Sequence, residues 1–215
     1  MEFVGSESGQ SLQLIHMDEV RPLRGGAFFP DVAARLVERY RLQSVAPRTE
    51  PNQPAKFLEG VAVLEGLTVP ITSLEIYADG ILVNARNTED ADAVLSDVID
   101  WGFKNLDARQ PKSWLPRKYI SRVIVDFEQS SGDLFFKKFR TLLRIVEDSL
   151  GSDHTLDLQF QFGPNPPGEL PYMHTWVLQP RAGQPPAPNR YFSIAPISTP
   201  AHLDMLRKLE AAALR

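Results

Sequence analysis

The sequence contains no cysteine among its 215 residues. Disulfide bonds, thiolate nucleophiles, cysteine-ligated zinc sites and iron–sulfur clusters are therefore excluded together. Long apolar runs are missing too, since no segment approaches the roughly 18 apolar residues that a membrane-spanning helix needs. The acidic N-terminus also lacks the charged-then-apolar pattern of a signal peptide. These absences predict a cytoplasmic protein with no membrane association.

Glycine is lacking where phosphate binding or nucleophilic catalysis would need it. Gly25 and Gly26 precede a predicted helix, but no Gly-Lys-Ser or Gly-Lys-Thr follows them. The nearest match to a nucleophile elbow runs from Gly5 to Gly9, and Glu7 stands at its centre instead of serine. We therefore predict no cofactor and no catalytic nucleophile.

Histidine is limited to four residues: His16, His154, His174 and His202. Aspartates stand close to three of them, but two ligands are too few for a metal site, so none is predicted. Surface positions are the simplest interpretation of these histidines. His154 and His174 flank the same predicted loop region. An enzyme with a dispersed active site, with either as the acid–base group, is therefore one alternative function.

What is present is the pattern of a globular protein, with 43% hydrophobic and 23% charged residues. The sequence around Asp79-Gly80 predicts a β-hairpin with a two-residue turn that pairs Ala78 with Ile81. Apolar spacing predicts helices from Pro30 to Arg41, after Asn87 to Trp101, from Asp133 to Leu150 and from Thr199 to Ala213. Further strands are predicted at 120–128, 155–162, 173–179 and 190–194.

These elements predict an α+β fold, mainly an antiparallel sheet with helices packed on it, of the two-layer sandwich type. Residues 1–28 are predicted to be an extended or partly mobile N-terminal segment. Residues 29–215 are predicted to form a single α+β domain, with a subdivision near residues 107–117 as an alternative.

Charge is distributed unevenly along the chain, whose overall net charge is −4. Residues 1–107 carry a net charge of −8, and residues 108–144 carry nine Lys and Arg against three Asp and Glu, a net charge of +6. Aromatic residues stand among these cations, which is typical of a binding surface. The residues predicted to contact a partner are Lys112, Trp114, Arg117, Lys118, Tyr119, Lys137, Arg140 and Arg144.

The sequence favours a non-enzymatic protein-binding subunit, of inhibitor, immunity or adaptor type, with an acidic protein as its partner. Nucleic-acid binding through residues 108–144 is a second alternative, since cations and aromatics together suit phosphates and bases. The acidic balance and pI of about 5.6 argue against it.

Overall fold

The computed structural model describes residues 1–15, 17–20, 29–46, 53–106, 108–111, 113–128, 160–162, 175–181 and 189–213. Within them the fold is α+β, with helices packed on antiparallel strands, as the sequence predicts. The chain divides into two compact units. We call Ser8–Ser121 the N-terminal unit, and Met1–Glu7 with Arg122–Arg215 the C-terminal unit. The predicted helix over 133–150 lies outside the described residues.

The described chain contains nine strands and four helices. In chain order they are β1 (Glu2–Leu14), α1 (Met17–Val20), α2 (Phe29–Tyr40), β2 (Ser44–Ala46), β3 (Ala55–Leu64), β4 (Leu67–Ile76), β5 (Gly80–Ala85), α3 (Thr88–Asn105), β6 (Lys118–Asp126), β7 (Phe160–Phe162), β8 (Trp176–Pro180), β9 (Arg190–Ala195) and α4 (Thr199–Ala213). The N-terminal segment predicted to be extended thus contains the long strand β1. The predicted domain boundary at residue 28 stays a prediction.

In the N-terminal unit β3 pairs with β2 and β4, and β5 pairs with β4 and β1, all antiparallel. The β3–β4 hairpin was not predicted. It closes on Glu65 and Gly66, whose positive φ values of 48° and 83° suit a two-residue turn that follows the twist of the strands.

The hairpin predicted around Asp79-Gly80 exists, but its register differs from the prediction by two residues. Ile76 faces Ile81, and Ala78 lies in the turn. Gly80 begins β5 and pairs with Leu14 of β1. Glycine is needed there for the close approach to β1, because a Cβ would lie 2.8 Å from the carbonyl oxygen of Gln13. A shift of two residues keeps every side chain on the same face of the sheet, and Val83 is fully buried.

Helices α2 and α3 cover one face of this sheet. Val32, Leu36 and Tyr40 are buried along α2 at the predicted spacing of four. The first turn of α3 is capped by Asn87, whose side chain accepts a hydrogen bond from the backbone N–H of Asp90. The apolar spacing that predicts α3 places Ala91, Val94, Leu95 and Val98 in the core, where they are buried, whereas Trp101 in the same stripe is only partly buried.

The C-terminal unit has its own core. Strand β8 pairs antiparallel with β7 and β9, and α4 contributes the buried side chain of Leu206. Val123, Val125 and Phe127, which alternate along the strand predicted over 120–128, are all buried there. Arg190 on β9 forms two hydrogen bonds of 2.8 Å with the carboxylate of Asp126. None of the helices in the described ranges combines the length and apolarity of a membrane span.

Candidate functional site

Four of the eight predicted partner-contacting residues are described: Trp114, Arg117, Lys118 and Tyr119. The rest of that set (Lys112, Lys137, Arg140, Arg144) lies outside the described residues, as do His154 and His174. Trp114 and Arg117 lie in the loop that leads into β6, while Lys118 and Tyr119 begin the strand. This part of the predicted surface is therefore a loop-to-strand junction in the N-terminal unit.

Asp92 on α3 is the acceptor around which this junction is organised. Its Oδ1 accepts hydrogen bonds from Ser11 Oγ at 2.9 Å and from Tyr119 OH at 3.2 Å. The same oxygen lies 2.7 Å from Nη1 of Arg117. Burial and the Asp92 carboxylate both raise the pKa of Tyr119, so its phenol stays a neutral donor at physiological pH. One carboxylate thus connects β1, α3 and the start of β6.

The guanidinium of Arg117 is engaged within the fold. Besides its ion pair with Asp92, Nη1 donates to Ser96 Oγ at 2.9 Å and Nε donates to Gln13 Oε1 at 3.3 Å. Gln13 is 2% exposed and donates to the carbonyl oxygen of Leu115 at 2.8 Å, which anchors the loop backbone to β1. The charge of Arg117 is therefore compensated inside the unit, and its first role is to hold the loop.

Beside this network lies an open cleft of about 500 Å³. Its lining residues are Gln13, Ser96, Ile99, Asp100, Trp114, Leu115, Pro116 and Arg117. Trp114 is 45% exposed, although it packs edge-to-face against Phe103 with 5.8 Å between the ring centroids. An indole that is held by a neighbouring ring and otherwise faces solvent is a preorganised contact surface. We call this feature the Trp114 cleft.

Arg117 and Asp100 are the charged side chains that line the Trp114 cleft. Arg117 is balanced by Asp92. Asp100 is exposed on α3 and forms no ion pair with any residue in the described ranges. The uncompensated charge on the described lining is therefore negative, although the surrounding sequence is basic.

A second polar cluster joins α2 to α3. Arg39 forms a bidentate ion pair with Asp97, and the hydroxyl of Tyr40 donates to the same carboxylate at 2.6 Å. Burial and the neighbouring carboxylate raise the pKa of Tyr40. These contacts hold α2 and α3 together on the face of the sheet that both helices cover. They stabilise the unit.

His202 is fully buried in the C-terminal unit, so the expectation of a surface position is wrong for this histidine. Its Nε2 lies 2.9 Å from Oγ of Ser193, which is also fully buried. Ser193 donates its single hydroxyl proton to the carbonyl oxygen of Val177. Nε2 of His202 therefore carries a proton and donates to Ser193, the reverse of the arrangement that activates a serine.

Helical spacing gives the signal that would have placed His202 inside. It stands four residues before the buried Leu206 on α4, so both lie on one face. Burial lowers the pKa of His202 to about 4. The neutral imidazole is consequently a structural group of the core.

Neither the known protein families nor the curated proteins and solved structures contain a match to this chain.

Proposed function

We propose that this protein is a non-enzymatic binding subunit, of inhibitor, immunity or adaptor type, that attaches to a partner protein through the Trp114 cleft. The observation that carries the proposal is the exposure of Trp114, at 45%, on a loop fixed by partly buried hydrogen bonds from Gln13 to Leu115 and from Arg117 to Ser96. A large aromatic side chain that needs no rearrangement to make contact is a typical anchor of a protein interface.

The ion pair of Arg117 with Asp92 changes how the predicted surface would work. Arg117 acts by positioning Trp114 and Leu115, whereas the aromatic ring makes the contact. The predicted acidic partner depends on cations outside the described residues and on Lys118, which is partly exposed at the start of β6. That partner, the two alternative functions and the cytoplasmic location stay predictions.

Affinity capture from a native lysate tests the proposal. The tagged chain, its Trp114→Ala variant and its Leu67→Ala variant are compared under the same conditions. Leu67 is the matched control because it is an even more exposed apolar residue of the N-terminal unit, at 72%. We expect a partner that co-purifies with the wild type and the Leu67 variant and is lost with Trp114→Ala. Equal recovery with all three chains would contradict the proposal.

A further inference from the structure

The Trp114 cleft has a composition that selects by charge. Asp100 is exposed at the cleft and has no ion-pair partner in the described ranges. Nη1 of Arg117 already contacts Asp92 and Ser96, and its Nε donates to Gln13. An anion entering the cleft would meet the carboxylate of Asp100 and a guanidinium whose charge is already balanced by Asp92, whereas a cation would meet a carboxylate with no ion-pair partner in the described ranges.

Trp114, the aromatic wall of the cleft, also favours a cationic ligand. Tryptophan is the side chain whose ring face attracts cations most strongly. The described neighbour of the Trp114 ring is Phe103, at an interplanar angle of 73°, so the two rings do not stack face to face. With 45% of the residue exposed, ring surface remains for a ligand. No described cation of this chain is recorded over that ring, whereas Arg39 does lie over the ring of Tyr40.

The remaining wall suits the stem of a long cationic side chain. Ile99, Leu115 and Pro116 line the cleft beside Trp114 and Asp100. Lysine and arginine bury their methylene groups on apolar surface while the charged head stays at a polar rim. A volume of about 500 Å³ leaves room for such a side chain together with part of its neighbours in the peptide.

We propose that the Trp114 cleft binds a Lys or Arg side chain of a partner polypeptide, with the stem on Trp114 and Leu115 and the charged head at Asp100. This inference rests on the proposed function and names the chemistry of its partner. It assigns the cleft to a basic segment, while the predicted acidic partner would need the cations elsewhere in 108–144.

Peptide titration tests the inference on the full chain. Ac-Leu-Arg-Leu-NH₂, Ac-Leu-Lys-Leu-NH₂ and Ac-Leu-Glu-Leu-NH₂ are titrated while the indole N–H resonance of Trp114 is followed by NMR. Its assignment comes from the signal lost in Trp114→Phe. We expect both basic peptides to shift the resonance at millimolar concentration, and the acidic peptide to bind about tenfold more weakly.

Removal of the carboxylate is the decisive variant. Asp100→Asn should weaken the basic peptides about threefold to fivefold, as loss of an exposed ion pair does. Asp79→Asn is the matched control, because it removes an exposed carboxylate of the same unit that does not line the cleft. It should leave their affinity unchanged.

The outcomes separate this inference from the proposed function. Equal binding of all three peptides, or unchanged affinity in Asp100→Asn, would overturn the charge selection while the capture result for Trp114→Ala still stands. Absence of any shift at peptide concentrations up to about 20 mM, well above the roughly millimolar dissociation constant expected for such a contact, would overturn the inference as well. Loss of the captured partner in the Trp114→Ala variant would then still support binding at the Trp114 cleft by another chemistry.

Discussion

At the scale of single residues, Asp92 connects separate segments of the N-terminal unit, because three donors from distant parts of the chain converge on one of its oxygens. These donors are Ser11, Arg117 and Tyr119. Sequence patterns predict a partner contact for Arg117 from its place in a basic stretch. They could not identify its partner, since 25 residues separate it from Asp92 and only the tertiary fold brings the two together.

Loss of the Arg117 charge should destabilise the protein. Arg117→Met keeps the length of the side chain but leaves Asp92 without its cation, and both side chains are at most one-third exposed. We expect the free energy of unfolding to fall by about 1–2 kcal/mol, measured by urea denaturation.

The control for this change is Lys208→Met, which breaks an ion pair of similar length on the open surface of α4, where Lys208 is 76% exposed. It should cost less than about 0.5 kcal/mol. Equal effects of the two variants would show that the Asp92 network adds nothing to stability.

His202 makes stability depend on pH. Its pKa is lowered from 6.5 to about 4 by burial, so between these values the unfolded chain binds a proton that the folded chain does not. Stability is therefore complete above pH 6.5 and falls as the pH is lowered toward 4, by roughly 3 kcal/mol in total. Urea denaturation at several pH values measures this slope.

The matched variant for the pH dependence is His202→Gln, which keeps a donor for Ser193 but does not titrate. Its free energy of unfolding should change less between pH 6.5 and 4 than that of the wild type. The same slope in both proteins would contradict the buried, neutral state of His202. Asp126, whose pKa is lowered by Arg190, contributes only at the acid end of this range.

At the scale of secondary-structure elements, local signals decided what could be predicted. The cap at Asn87 and the stripe of α3 are encoded within one segment, and they are confirmed. The β3–β4 hairpin was missed because Pro70 lies inside β4 and the turn begins with Glu65 in a positive-φ conformation. Pro70 is tolerated there since the pairing of β4 with β5 begins only at Ile71.

Gly9 on β1 gives a test at this scale. A Cβ at Gly9 would lie 2.0 Å from the backbone carbon of Asn87, where α3 begins. Backbone on both sides cannot give way without moving the helix, so Gly9→Ala should destabilise the protein by about 1–3 kcal/mol or more. Thermal or urea denaturation measures the loss.

Gly5 is the matched control on the same strand, because a Cβ there would meet nothing within 4 Å. Gly5→Ala should change stability by less than about 0.5 kcal/mol. A stable Gly9→Ala variant would mean that β1 does not lie against the start of α3. The sequence alone does not distinguish the two glycines, since the contact depends on residues almost 80 positions apart.

At the scale of the whole molecule, composition and periodicity predicted the fold class but not the division into two compact units. That division falls within β1 and β6, which are continuous strands with no linker composition to mark a boundary. The candidate site stays a prediction. Trp114 is exposed in a loop, and the negative charge of its cleft comes from Asp100 on α3, which lies outside the basic stretch that the sequence singles out.

The central claim is that Trp114 anchors a partner protein, and the affinity of the captured partner for purified variants measures it most directly. Calorimetric titration should show Trp114→Ala weakening the complex by at least about 30-fold, the effect of a central aromatic anchor. Leu67→Ala should change the affinity by less than about threefold. An affinity of Trp114→Ala within threefold of the wild type would contradict the account.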